Sequence, residues 1–232
     1  MSTPSATTTI AGRIEAVRAR IVAACERSRR DPAAVTLVAV SKTHPAAEVV
    51  AAFDAGMTDF GENRVQEGVA KFAEVERLLG GRYEGLVPHL IGHLQTNKVR
   101  AALGCFAILH AVDSERLLRA IDAAATSAVR VFIEVNVSGE PTKFGVEPGA
   151  LGAMVETAGS LPRIRLEGLM TVAPLVADPE QVRPVFRVLR GLAKEHGLPS
   201  LSMGMTGDFE VAIEEGATHV RVGRAIFGER LP

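Results

Sequence analysis

Two cationic residues stand where an α/β chain could use them for chemistry. The run Thr36-Leu37-Val38-Ala39-Val40-Ser41-Lys42 is apolar and ends abruptly in a lysine. A run of this length, bounded by polar residues, reads as a buried parallel strand. Lys42 then marks its C-terminal end, with Pro45 soon after to open a helix. Strand C-termini are where α/β folds collect their chemistry. A lysine there, at the mouth of a low-dielectric pocket, can lose its proton and attack a carbonyl. Taken alone it reads more readily as a solvated loop residue. The second cation is Arg221, between Val220 and Val222. Alternation puts it on the opposite face from both valines. If they pack toward helices, Arg221 points into the sheet's interior, where it needs an anion or an acceptor. A strand-end carboxylate, Glu134 or Glu167, would serve that need without any ligand.

Two loops complete the set. Ser202-Met203-Gly204-Met205-Thr206-Gly207-Asp208 and Arg221-Val222-Gly223-Arg224-Ala225 both contain glycine, and both lead into a helix. Glycine lets backbone N–H groups approach an anion, and the helix dipole favours negative charge there. Ser202 and Thr206 offer hydroxyl donors. Each loop alone is an ordinary strand-to-helix turn, but the pair falls at the positions where a barrel often binds phosphate.

The elements that must position these residues alternate. Strand candidates are 36–41, 58–61, 86–91, 106–111, 129–137, 164–171, 201–203 and 218–222, with helical patterns at 48–55, 65–79, 95–103, 115–125, 147–158, 179–195, 209–215 and 224–227. Pro184 fits only the first turn of its helix or a kink. Ile10, Ile14, Val17 and Ile21 add an amphipathic helix before the first strand. Strict alternation argues for a parallel sheet, and eight βα units fit a (β/α)8 TIM-type barrel with an extra N-terminal helix; an open doubly wound sheet is the alternative. Residues 1–9 read as a flexible tail and 10–232 as one barrel domain.

Composition excludes several classes. The chain has 232 residues, 47% hydrophobic and 23% charged, with a formal net charge of -1. Nothing there suggests a nucleic-acid partner, and no apolar stretch approaches the roughly 20 residues of a membrane helix. The N-terminus lacks the apolar core of a signal peptide. Cys25 and Cys105 are the only cysteines and read as buried thiols of a reducing cytoplasm. His89 and His93 straddle a strand end, so no metal site is expected; His89 is a modest candidate for the pocket.

Closing the barrel brings strand eight beside strand one, so Lys42, Arg221 and both glycine loops share one end. A lysine that condenses with an aldehyde, a phosphate cradle and a donor to a ring nitrogen together describe pyridoxal 5'-phosphate held as a Schiff base.

The same residues carry a resemblance. Ala39-Val40-Ser41-Lys42-Thr43, Phe60-Gly61-Glu62-Asn63, His89-Leu90-Ile91-Gly92-His93-Leu94-Gln95-Thr96-Asn97-Lys98, Lys143-Phe144-Gly145, Gly168-Leu169-Met170-Thr171, Leu201-Ser202-Met203-Gly204-Met205-Thr206 and Val220-Arg221-Val222-Gly223-Arg224-Ala225-Ile226-Phe227-Gly228 resemble, in this order, the pyridoxal phosphate homeostasis proteins. That family is a single barrel similar to the N-terminal domain of alanine racemase. The resemblance implies Lys42 as the Schiff-base lysine, Ser202, Gly223 and Arg224 at the phosphate, and Arg221 facing the pyridine nitrogen, with Asn63 and Met203 also at the cofactor. Pro88 departs from the family's frequent Trp and leaves the packing of His89 open.

Three functions compete: a cofactor binder that buffers pyridoxal phosphate and delivers it to apo-enzymes, a pyridoxal phosphate-dependent amino-acid racemase, and a barrel aldolase using Lys42 on a phosphosugar. Racemisation needs an acid/base group on each face of the substrate carbon. The only tyrosine, Tyr83, lies in a Gly-rich stretch, and an arginine at the ring nitrogen would keep that nitrogen unprotonated. The expected reading is therefore a cytoplasmic, monomeric cofactor-binding protein rather than an enzyme.

Overall fold

The computed structural model describes residues 9–140 and 143–229. The expected tail at 1–9 lies outside the described residues except for Thr9, and so do Pro141 and Thr142 of the loop after the fifth strand. Eight parallel strands pair in chain order: β1 (Thr36–Val40), β2 (Asp59–Glu62), β3 (Val87–Leu90), β4 (Ile108–Val112), β5 (Val129–Glu134), β6 (Ile164–Met170), β7 (Ser200–Met205) and β8 (His219–Val222). The sheet closes β8 onto β1 as a barrel, the TIM-type fold expected from the alternation.

Helices α1 (Ile10–Ser28), α2 (Ala46–Asp54), α3 (Val65–Leu79), α4 (Val99–Leu103), α5 (Glu115–Ala124), α6 (Leu151–Ser160), α7 (Arg183–Glu195), α8 (Phe209–Glu214) and α9 (Arg224–Phe227) surround it. α1 is the extra helix. Thr9 caps it by accepting from the Gly12 N–H, and it ends where Arg29 turns left-handed at φ 54°. Its arginines tie it down: Arg20 pairs with Glu210 on α8 at 2.9 Å, and Arg13 donates to the Ile226 carbonyl of α9 at 2.7 Å. Pro184 sits in the first turn of α7, where its missing N–H costs nothing.

Two boundaries differ instructively from the pattern. The fifth strand stops at Glu134 rather than 137: the Val135 N–H still bonds the Met170 carbonyl of β6, but Val135 also bridges Val146, and the Asn136 N–H turns to the Val146 carbonyl. The weak seventh strand is six residues long, since it is paired on both sides inside a closed sheet. A central strand needs little intrinsic propensity of its own.

Two layers of side chains result. Outward residues such as Leu37, Ala39, Val131, Ile133, Val220 and Val222 join Phe72, Phe186 and Phe209 of the helices in the main apolar core. The barrel interior is different. Ile108, Phe132 and Met170 form a small apolar cluster there, but His89, His110, Ser202 and Arg221 are also buried and bonded to one another. Barrels usually fill this space with Val, Ile and Leu. The polar filling marks what this interior is built around.

Candidate functional site

A cavity of about 620 Å³ opens at the C-terminal ends of the strands, the end at which barrels place their sites. Lys42, Asn63, Arg221, Gly223 and Arg224 all line it, together with Thr206. Barrel closure produces this grouping. Val38 pairs with Arg221 in register across the β1–β8 seam, and Lys42 lies four residues further toward the mouth. A Cβ on Gly223 would meet the Val40 carbonyl at 3.1 Å, tight enough that the backbone would have to shift, so glycine here lets β8's exit approach β1 closely.

The segment carrying Lys42 is clamped from below. The Lys71 ammonium, on the buried face of α3, donates to the Ser41 carbonyl at 2.6 Å, to Glu62 Oε1 at 2.6 Å and to Glu67 Oε1 at 3.2 Å. Ser41 Oγ also donates to Glu62 at 2.7 Å, and the Thr43 N–H donates to Glu67 at 2.6 Å. Thr43 has φ 68°, a left-handed conformation unfavourable for a β-branched residue. The bonds to both neighbours of Lys42 hold that conformation. Burial raises the Glu62 carboxyl above its ordinary range, with Lys71 and Ser41 pulling it partly back. Burial raises Glu67 as well, but the Thr43 N–H and Lys71 outweigh it and hold that carboxyl below its ordinary value. Sequence reasoning missed this cluster. Its one signal is the i, i+4 pair Glu67–Lys71 on α3, with the lysine on the apolar face.

Arg221 does point into the barrel, as the outward Val220 and Val222 require. It is 4% exposed. Its guanidinium donates to Ser202 Oγ at 2.6 Å and to the Thr171 carbonyl at 2.8 Å. Burial lowers it to about 10, with Glu134 and Asp208 opposing, so it stays cationic at neutral pH. Neither suggested carboxylate takes up its hydrogen bonds: Glu167 pairs with Arg130 at 3.0 Å, and Glu134 only shares its field. Burial pushes Glu134 up to about 7 despite Arg221.

Ser202 and Met203 do not line the cavity. Alternation along β7 turns Ser202 inward, where its hydroxyl is engaged by Arg221 and lies 2.8 Å from His110 Nδ1. Met203 turns outward into the apolar core. The loop's contribution to the cavity comes instead from Met205, Thr206, Gly207 and Asp208. That turn is braced by the Asp208 carboxylate accepting from the Met205 N–H at 2.5 Å. Arg224 is exposed at the rim, at the start of α9, whose first N–H groups have no helical carbonyl to bond. His89, despite Pro88 beside it, is fully buried in the interior. Cys105 is half-buried rather than buried, and both cysteines are free thiols. Tyr83 lies in the turn Gly80–Gly85 that precedes β3, at the end of the barrel opposite the cavity. Among the described residues, no group of three or more His, Cys, Asp or Glu is arranged to hold a metal ion, and no helix is long and apolar enough to cross a membrane.

The arrangement suits a small molecule with a carbonyl for Lys42, an anionic or polar group for the glycine-containing loops, and an acceptor for Arg221. The comparisons agree in kind. Residues 13–231 match the family described as alanine racemase, N-terminal domain. A pyridoxal phosphate homeostasis protein of Aquifex aeolicus is 44% identical over 227 residues, covering 94% of this chain and 97% of that protein. One of Pseudomonas aeruginosa is 43% identical, covering 96% of each. The solved structure of PipY of Synechococcus elongatus with PLP bound superposes with a TM-score of 0.82 at 36% identity, covering 95% of this chain and 100% of that one. Alanine racemase of Corynebacterium glutamicum shares the fold alone, at a TM-score of 0.67 and 17% identity over 62% of its length. By sequence over nearly its full length and by the closed barrel that puts a lysine and an arginine at one mouth, this chain belongs to the pyridoxal phosphate homeostasis protein family.

Proposed function

We propose that this protein binds pyridoxal 5'-phosphate in the cavity and serves vitamin B6 homeostasis by holding and releasing the cofactor rather than by turning over a substrate. The observation that carries the reading is the single cavity shared by Lys42, Arg221 and Gly223 across the β1–β8 seam. Lys42 would hold the cofactor covalently, as a Schiff base through its ε-amine. Gly223 and Arg224, with Thr206 of the β7 loop, would receive the phosphate, and Arg221 would face the ring nitrogen, with Asn63 also lining the pocket. Bound pyridoxal phosphate would supply an electron sink, which is weaker when its ring nitrogen is unprotonated, and a buried cation beside that nitrogen opposes protonation.

The same geometry argues against efficient racemisation. The only tyrosine in the sequence is at the far end of the barrel. Leu175, 94% exposed, stands on the cavity's rim, which suits exchange of the cofactor with apo-enzymes. Two free thiols suit a reducing cytoplasm, and a monomer leaves the mouth open.

Purified protein given pyridoxal phosphate should develop a visible absorption band. After borohydride reduction, mass mapping should place the adduct on Lys42, and Lys42→Ala should abolish both. A protein that stays colourless and unmodified overturns the reading. Interconversion of amino-acid enantiomers at an ordinary enzymatic rate would replace it with the racemase.

A further inference from the structure

The buried histidines of the barrel interior have no part in the function so far, yet they connect its two ends. Asp59 opens β2 at the N-terminal end, where it lines a second cavity of about 380 Å³ and its side chain is 22% exposed. Its Oδ1 lies 3.0 Å from His89 Nε2, His89 Nδ1 lies 2.8 Å from His110 Nε2, and His110 Nδ1 lies 2.8 Å from Ser202 Oγ. Ser202 Oγ in turn accepts from Arg221, on the floor of the first cavity.

The direction of every bond follows from chemistry. A guanidinium has donors only, so Ser202 cannot give its proton to Arg221. His110 Nδ1 is the one other partner of this buried hydroxyl among the described residues, so its proton is satisfied by donation there. His110 is then an acceptor at Nδ1, and a neutral ring carries its one proton on Nε2. That proton goes to His89 Nδ1, which leaves His89 to donate from Nε2 to the Asp59 carboxylate. The surroundings agree. Burial holds the His110 imidazole well below its ordinary value, and the nearby cations Arg221 and Arg130 add to that. Burial alone would raise Asp59, but the bonds from His89 and Thr58 outweigh it and hold the carboxyl below its ordinary value. His110 is also fixed in plane, stacked on Phe132 with centroids 4.6 Å apart.

We propose that Asp59, His89, His110 and Ser202 form a one-way hydrogen-bond relay along the barrel axis. The relay turns the Ser202 hydroxyl into an obligatory acceptor for Arg221 and so fixes the guanidinium at the cavity floor. His89 and His110 are therefore positioning residues, and their influence on the cavity passes through Arg221. The consequence for cofactor binding rests on the function proposed above; the consequence for Arg221 does not.

The test has two arms. In unloaded protein with 15N-labelled histidine at neutral pH, His110 should be neutral and both rings should carry a proton on Nε2. A charged His110, or a proton on its Nδ1, overturns the relay. Arg221 guanidinium protons should exchange with solvent slowly in the parent and at least tenfold faster in His110→Phe, which keeps a ring against Phe132, and in Ser202→Ala. His110→Asn, whose amide oxygen can stand in for Nδ1, should restore most of the protection. Unchanged exchange in a folded His110→Phe refutes the positioning role; if that variant does not fold, Ser202→Ala and the parent's tautomers decide. In loaded protein, His110→Phe should bind pyridoxal phosphate about tenfold more weakly with a shifted visible band. A colourless parent would overturn the proposed function, while the tautomer and exchange measurements would still judge the relay.

Discussion

Lys71 offers the sharpest check on how the Lys42 segment is held. Lys71→Met keeps most of the side-chain volume and removes the charge. Glu62, fully buried, is left with only the Ser41 hydroxyl, and the Ser41 carbonyl loses its donor. Removing one partner of a buried ion pair destabilises by about 3–5 kcal/mol, because the other charge stays behind uncompensated. The penalty should depend on pH in a defined direction. Burial already raises Glu62 in the folded state, and losing Lys71 raises it further. The folded variant then binds its proton more tightly than the unfolded chain does. The resulting stability is complete below the unfolded carboxyl value of roughly 4.3 and is lost as pH rises through the folded value. Urea unfolding at pH 5.5 and pH 8, with unchanged m-values, should show a smaller deficit at the lower pH. Lys71→Met combined with Glu62→Gln should recover at least half of it, since the second change removes the stranded charge. A deficit below about 1 kcal/mol, or one equal at both pH values, would refute the reasoning that the buried charges hold this segment.

Glu134, raised from 4.5 to about 7, makes a separate prediction. It holds its proton more tightly folded than unfolded, so stability on the order of 3 kcal/mol, present below pH 4.5, is lost as pH rises through 7; Glu134→Gln should flatten unfolding free energy between pH 5 and 7.5. Gly204, at φ 91°, would bring a Cβ to 2.6 Å from Ala212 Cβ and 2.9 Å from Phe209 Cα, so Gly204→Ala should destabilise by about 2–4 kcal/mol in urea unfolding. Phe186, fully buried on α7 in the outer core, should cost about 3–5 kcal/mol as Phe186→Ala. That variant should leave the Lys42 adduct intact, which separates loss of fold stability from loss of the site.

Local pattern alone determined much of this protein. The alternation of apolar runs and amphipathic stretches specifies eight βα units, because side-chain period and turn residues are properties of the chain itself. It also placed Lys42 at a strand end and turned Arg221 inward, since both follow from counting along one strand. Partners were beyond its reach. Lys71 and Glu62 are nine residues apart on different elements, and His110 and Ser202 are separated by 92. Packing of α3 back onto β2 makes the first pair neighbours, and closure of the barrel makes the second. The surroundings of Ser202 show the difference most clearly. In the sequence it is a hydroxyl on a glycine-containing loop; in the barrel, the register of β7 turns it inward, between Arg221 and His110. The chain's pattern set which face each residue occupies, and the closed sheet decided what waits on that face, because burial in common turns separate polar groups into obligatory partners.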